Sequence, residues 1–372
     1  MRQRELGTTG LELSVAGFGA WAIGGPWAWG WGRQDDGESI DALHRALDAG
    51  VNWIDTAPAY GLGHSERIVG RALRERRDVH RIRVATKCGL WADGQRDVYD
   101  LRPSSIRREI DESRRRLGID VIDLYQIHWP DRQTGTPVEE SWTAMAELVT
   151  KGKVRHLGVS NFTVELLERC ERIRHVDSLQ PPLSLIDRSA LAELLPWCVA
   201  HGTGVLCYSP MQSGLLTGSF SRQRAASLPS DDWRWRDPEF QEPRLSANLA
   251  LAERLRPVAA RHGTTVAAVA VSWVLAQAGV TAAIAGARRP AQVDGWIAAG
   301  DLGLTLQDLD ELEGAEPPAA PAPPAGEAPP PSQAPLAGEA PPPSQAPLAG
   351  EAPPPSQAPP AGEAPPPGGP SA

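Results

Sequence analysis

Eight times between Leu11 and Ala285 a short apolar run gives way to a longer segment with a one-sided apolar stripe, and this alternation limits the fold more than any other feature. The first run, residues 11–19, reads as a hairpin leading into a strand. The others are residues 51–55, 81–86, 121–127, 154–159, 176–179, 204–207 and 282–285. Helical stripes are predicted at residues 38–49, 65–74, 103–117, 137–150, 164–172 and 189–200, with a pair at 249–262 and 264–278. The connections suit right-handed parallel crossovers. The expected class is α/β, a closed (β/α)8 TIM barrel with an N-terminal β-hairpin. A doubly wound open sheet is the alternative, but Gly17-Phe18-Gly19 lacks the third glycine of a dinucleotide fingerprint.

Several runs stop at a polar residue. Asp55, Lys87, His128, Asn161, Gln180 and Tyr208 each follow a different predicted strand, so a barrel would gather them on one rim. Tyr60 follows Asp55 by five residues through a Pro/Gly turn.

The barrel pattern ends near residue 314. Beyond it the chain is Pro, Ala, Gly, Glu, Ser and Gln, with Ala-Gly-Glu returning every twelve residues at Ala325, Ala337, Ala349 and Ala361. Such a segment cannot bury enough apolar area to order itself, so residues 315–372 are expected to be a disordered tail beside a domain at 1–314. The net charge is −9, and five glutamates in the tail leave −4 on residues 1–314. That balance disfavours nucleic acid and anionic membrane as partners. Cys88, Cys170, Cys198 and Cys207 lack Cys-x-x-Cys spacing, so neither a disulfide scaffold nor a structural metal is expected. Residues 1–7 have no signal-peptide core and no run of 18 apolar residues occurs, which makes a cytoplasmic protein the expectation. Nothing in the sequence sets an oligomeric state.

Of 37 basic residues only three are lysines, Lys87, Lys151 and Lys153. Lysine, unlike arginine, is a compact charge whose pKa can be tuned. Beside Tyr60 such an ammonium would lower the phenol pKa from about 10, Asp55 would hold the lysine, and His128 would orient a substrate oxygen. Together these make a proton donor beside an oxyanion site, as carbonyl reduction requires, with the hydride drawn from a cofactor.

The Asp55, Tyr60, Lys87 and His128 set resembles the catalytic tetrad of the aldo-keto reductase family. Gly152 to Phe162, reading GKVRHLGVSNF, is similar to the family's fifth-strand signature. Tyr208-Ser209-Pro210 through Gly218 is similar to its seventh-strand cofactor loop, and Gly286-Ala287-Arg288 with Gln292 to its adenosine-phosphate segment. The resemblance implies an NADP(H)-dependent oxidoreductase, NAD(H) remaining open, with Tyr60 as general acid. It also implies that Ser160, Asn161 and Gln180 bind the nicotinamide carboxamide and that Tyr208 stacks on its ring. Ser209, Pro210 and Leu215 would line the pyrophosphate, Arg288 would meet the 2′-phosphate, and Trp21, Gly286 and Gln292 are counted with the cofactor contacts. Two positions depart from the pattern, Ser219 where a lysine is common and Trp296 where an asparagine is common; Arg222 or Arg224 would then supply the missing cation.

Trp21, Trp27, Trp29, Trp31, Trp91, Trp129, Trp233 and Trp235 all fall in loops predicted for the same rim. They suggest a broad pocket for a bulky or aromatic carbonyl, although tryptophans that only brace loops would give the same pattern. The segment 219–243 is long enough to close over a cofactor. Two rival readings remain, a non-catalytic nicotinamide-binding redox sensor and a lyase using Lys87 as a Schiff-base nucleophile.

Overall fold

A computed structural model describes residues 1–93 and 96–314; the tail expectation at 315–372 lies outside the described residues. The strands are β1 (Gln3–Glu5), β2 (Glu12–Ser14), β3 (Ala16–Gly19), β4 (Trp53–Asp55), β5 (Arg83–Cys88), β6 (Leu90–Asp93), β7 (Arg96–Tyr99), β8 (Ile122–Ile127), β9 (Val154–Ser160), β10 (Ser178–Gln180), β11 (Gly204–Cys207) and β12 (Ala282–Gly286). Eight of them, β3, β4, β5, β8, β9, β10, β11 and β12, pair in that order, all parallel, and β12 returns to β3 to close a barrel. The (β/α)8 expectation is met. Strands β1 and β2 form the expected N-terminal hairpin.

A strand sends alternate side chains to opposite faces. Inside the barrel, Leu6, Leu13, Trp53, Leu124 and Leu206 form an apolar floor. Outside, the strands meet the helices in a continuous core that includes Ile54, Val84, Tyr125, Val159 and Val205. Gly17 must lack a side chain, because a Cβ there would lie 2.1 Å from the Trp53 indole. One residue type at position 17 therefore sets how large the floor can be.

The helices start where the sequence offers caps. The Asp35 side chain accepts from Glu38 N at the helix Asp36–Asp48, and Thr163 and Thr265 do the same at Val164–Glu171 and Val266–Ala276. The helix expected at 189–200 is instead a single turn, Ser189–Leu191, followed by Leu194–His201. Pro196 explains the restart, since its missing N–H is tolerated only in a first turn. The hairpin β6–β7 was not foreseen, although Asp93-Gly94 between two short runs is a turn signal.

Behind β5, Glu109 is buried on the helix Pro103–Leu117 and accepts from Gly89 N at 3.1 Å and Ser105 Oγ at 3.0 Å. Burial pushes its carboxyl up to about 7. The folded state therefore holds a proton that the unfolded chain releases near 4.5, so stability is full below that pH and declines as pH rises towards 7. The decline is roughly 3 kcal/mol from this group. Glu109→Gln, which keeps both contacts open, is expected to flatten the decline and to exceed wild type in urea unfolding at pH 8. An unchanged pH profile would show that Glu109 is not its source.

Candidate active site

Asp55 ends β4 inside the barrel, and the chain then turns so that Tyr60 faces back over the strand end. The turn is fixed by Gly63 N donating to Pro58 O at 2.7 Å and Tyr60 N donating to Ala57 O at 3.2 Å. Gly61 has φ +60°, and a Cβ there would fall 1.8 Å from Gly24 O. Glycine is thus required beside Tyr60, where two loops touch backbone to backbone.

Lys87 lies within β5 and points inward, fully buried. Its Nζ donates to Asp55 Oδ1 at 2.5 Å, to Thr56 O at 3.2 Å and to Tyr60 Oη at 3.2 Å. The other carboxylate oxygen, Asp55 Oδ2, accepts from Gln180 Nε2 at 2.9 Å and Gln126 Nε2 at 3.2 Å. Gln126 was missed in the sequence. It sits in the apolar strand β8 two residues before His128, the spacing that puts both on one face, and that polar interruption was the available signal.

Electrostatics depart from the expectation for Tyr60. Its pKa is raised, not lowered, because burial comes first and the Asp55 carboxylate adds to it, outweighing the Lys87 ammonium. Burial likewise lowers Lys87, with Asp55 opposing. His128 is pushed well below its ordinary value by burial and then by Lys87, so the imidazole is neutral at pH 7. Its Nδ1 has no partner among the described residues, and its ring meets Tyr60 edge-on at 5.7 Å. A phenol that keeps its proton and a neutral imidazole, both lining one cavity, can both address one oxygen atom.

Asp55, Tyr60 and His128 open into a cavity of about 730 Å³, which runs past Ser160, Asn161, Gln180 and Tyr208 to Ser209, Pro210, Gly286, Arg288 and Gln292. Trp21 lines it too. Asn161, with φ +61°, is held by Tyr208 Oη donating to its Oδ1 at 2.8 Å, while its Nδ2 donates to His128 O at 3.0 Å. Ser160 Oγ donates to Gln180 O at 2.8 Å. Of the expected contacts, Leu215 stands apart. It is fully buried among Phe220, Trp233, Phe240 and Leu245, and its neighbours Ser213 and Gly214 line the cavity instead. An apolar side chain with an apolar cluster at hand has no reason to face a polar channel.

Arg288, expected at the 2′-phosphate, lines the cavity and is already engaged within the chain. Its guanidinium donates to Gln34 Oε1 at 2.6 Å, to Trp31 O at 3.0 Å and to Arg33 O. It ties the loop after β3 to the end of β12. Arg33, Arg224 and Arg289 line the same end of the cavity, where Arg33 and Arg289 have no carboxylate partner among the described residues; Arg222 instead pairs with Glu242.

The tryptophans divide. Trp21, Trp31 and Trp233 pack together with centroids 5.2 to 6.2 Å apart, bracing the loop after β3 against the segment 219–243, and Trp21 and Trp31 still line the cavity. Trp27 and Trp129 join Ala59, Leu90, Tyr99 and Tyr60 in a separate cluster. Trp235 is exposed. Among the described residues no trio of His, Cys, Asp or Glu is placed to hold a metal, all four cysteines are free and buried, and no single helix is long and apolar enough to cross a membrane.

A model of the Aldo/keto reductase family matches residues 16–317. The chain is 39% identical over 296 residues to Aldo-keto reductase YhdN of Bacillus subtilis (strain 168), covering 79% of this chain and 87% of the relative. It is 36% identical over 321 residues to NADH-specific methylglyoxal reductase of Escherichia coli (strain K12), covering 83% and 96%. Among solved structures, the glycerol dehydrogenase AKR11B4 from Gluconobacter oxydans superposes with a TM-score of 0.76 at 39% identity, covering 86% of this chain and 98% of that one.

Proposed function

The chain belongs to the aldo/keto reductase family and is an oxidoreductase, and on that premise we propose that it reduces an aldehyde or ketone with NADP(H), Tyr60 giving the proton. One observation carries the reading. The buried Lys87 ammonium joins Asp55 and Tyr60 beneath a cavity that Tyr60 and His128 face.

A nicotinamide dinucleotide fits the residues present. The cavity is elongated, polar side chains gather at its barrel end, and arginines line its far end. Ser160, Asn161 and Gln180 would hold the carboxamide, Tyr208 the ring, Ser209, Pro210, Ser213 and Gly214 the pyrophosphate, and Arg288, Gln292 and Trp296 the adenosine end. When bound, such a group supplies the hydride. The protein's part is positional and electrostatic. His128, neutral and lining the cavity, orients the carbonyl oxygen. Tyr60 holds its proton at neutral pH because burial and Asp55 disfavour the phenolate, and it releases that proton to the oxygen as negative charge develops there. Lys87 then stabilises the phenolate, and Asp55 keeps the lysine charged and fixed.

This arrangement does not suit a Schiff base. Lys87 Nζ is fully buried and already donates to Asp55, Thr56 and Tyr60, whereas a nucleophilic amine needs a free lone pair and access.

Cofactor choice rests on Arg288. NADPH is expected to bind more tightly than NADH in fluorescence titration. Arg288→Ala should weaken NADPH by about ten-fold, the loss of one charge-assisted hydrogen bond, with little change for NADH. Equal losses for both would mean that Arg288 only anchors the loop 31–34, and equal wild-type affinities would overturn the NADP(H) preference.

A further inference from the structure

Four rim tryptophans each carry an arginine: Arg236 over Trp29 at 5.5 Å, Arg234 over Trp31 at 4.2 Å, Arg108 over Trp91 at 5.9 Å and Arg132 over Trp129 at 4.6 Å. Three of these cations are otherwise engaged. Arg234 pairs with Asp232, Arg108 lies 3.9 Å from Glu112, and Arg236 donates to Ala28 O at 2.6 Å. Arg132 is exposed and has no carboxylate partner among the described residues.

Its position is informative. Trp129 directly follows His128, is buried, and shares one apolar cluster with Ala59, Leu90 and Tyr99, against which Trp27 and Tyr60 pack. Arg132 also lies over the Tyr99 ring at 5.5 Å. One packed, largely aromatic cluster therefore connects the Tyr60 ring to a stacked guanidinium at the surface. Stacking orients the planar fork while leaving its donors free for an anion. Of the nearby carboxylates, Asp131 accepts from the backbone of Gln133, Thr134 and Thr136, and Asp97 has one oxygen engaged by Trp29 Nε1 at 2.8 Å and the other, Oδ1, without a partner among the described residues.

We propose that Arg132 selects carbonyl substrates that carry a carboxylate at the far end of a planar or apolar spacer. The proposal rests on the carbonyl-reductase reading above. The carbonyl sits at Tyr60 and His128, the spacer lies along Trp27, Leu90 and Trp129, and the carboxylate meets the Arg132 fork, which binds it through two parallel hydrogen bonds.

The test compares 4-carboxybenzaldehyde with the neutral 4-nitrobenzaldehyde in wild type and Arg132→Gln, alongside terephthalate binding followed by tryptophan fluorescence. In the variant, kcat/KM for the carboxylated aldehyde should fall about ten-fold through KM, with the nitro compound unchanged. Added salt should erode the wild-type advantage. A variant equal to wild type on the carboxylated aldehyde, or equally impaired on both, overturns the proposal. If wild type reduces neither aldehyde, the reductase reading itself has failed. Terephthalate then decides the anion site alone: weaker binding to the variant sustains it, and equal binding removes it.

Discussion

Tyr60→Phe is expected to lower aldehyde reduction by about 10³-fold or more, within the range by which a positioned general acid accelerates proton transfer. The loss should appear in kcat, with NADPH affinity held within about two-fold, because the removed oxygen acts on the reacting atom rather than on the cofactor. The fold should survive, since the Phe ring keeps the contacts that Tyr60 makes with Trp27 and His128. Lys87 would keep Asp55 and Thr56 O as partners. The measurement is NADPH oxidation at 340 nm with parallel fluorescence titration. Turnover within a few-fold of wild type would remove Tyr60 as the acid. Cofactor binding with no turnover in either protein would favour a sensor over an enzyme.

The second large effect concerns stability. Asp55→Asn leaves the Lys87 ammonium buried without its counter-charge, and breaking a buried pair from one side costs about 3–5 kcal/mol. Burial is already the largest influence on Lys87 and lowers its pKa; with Asp55 gone only the Glu66 carboxylate still opposes it, and the pKa is expected to fall further. The double variant Asp55→Asn, Lys87→Met removes both charges, so urea unfolding should recover more than half of the single-variant loss while turnover stays absent. That split separates folding from catalysis. A single-variant cost under about 1 kcal/mol would indicate that the pair is solvated in a way its burial denies.

Much of this site was legible because a barrel converts position in sequence into position in space. Each strand ends on one rim, so Asp55, Tyr60, His128, Asn161 and Tyr208, distant along the chain, gather without any contact having to be foreseen. Lys87 stood out through composition, as a rare lysine after an apolar run in an arginine-rich chain. Gln126 was overlooked for the converse reason: one polar residue inside an apolar strand looks like noise until the barrel shows that it shares a face with His128.

The loops resisted reading because their side chains choose between neighbours that only the folded chain supplies. Leu215 turned from the cavity into an apolar cluster that draws on Phe220, Trp233 and Phe240, and Arg288 turned towards carbonyl oxygens of a loop more than 250 residues away in sequence. The sign of the Tyr60 shift was decided in the same way. Sequence names the charges but not their solvation, and burial outweighed the nearby ammonium. Periodicity thus determined the barrel, and the strand-end residues determined which side chains gather on its rim, by local rules. Which rim cations are tied and which left open, and where the phenol holds its proton, depended on long-range packing and desolvation, which exist only once the chain has closed.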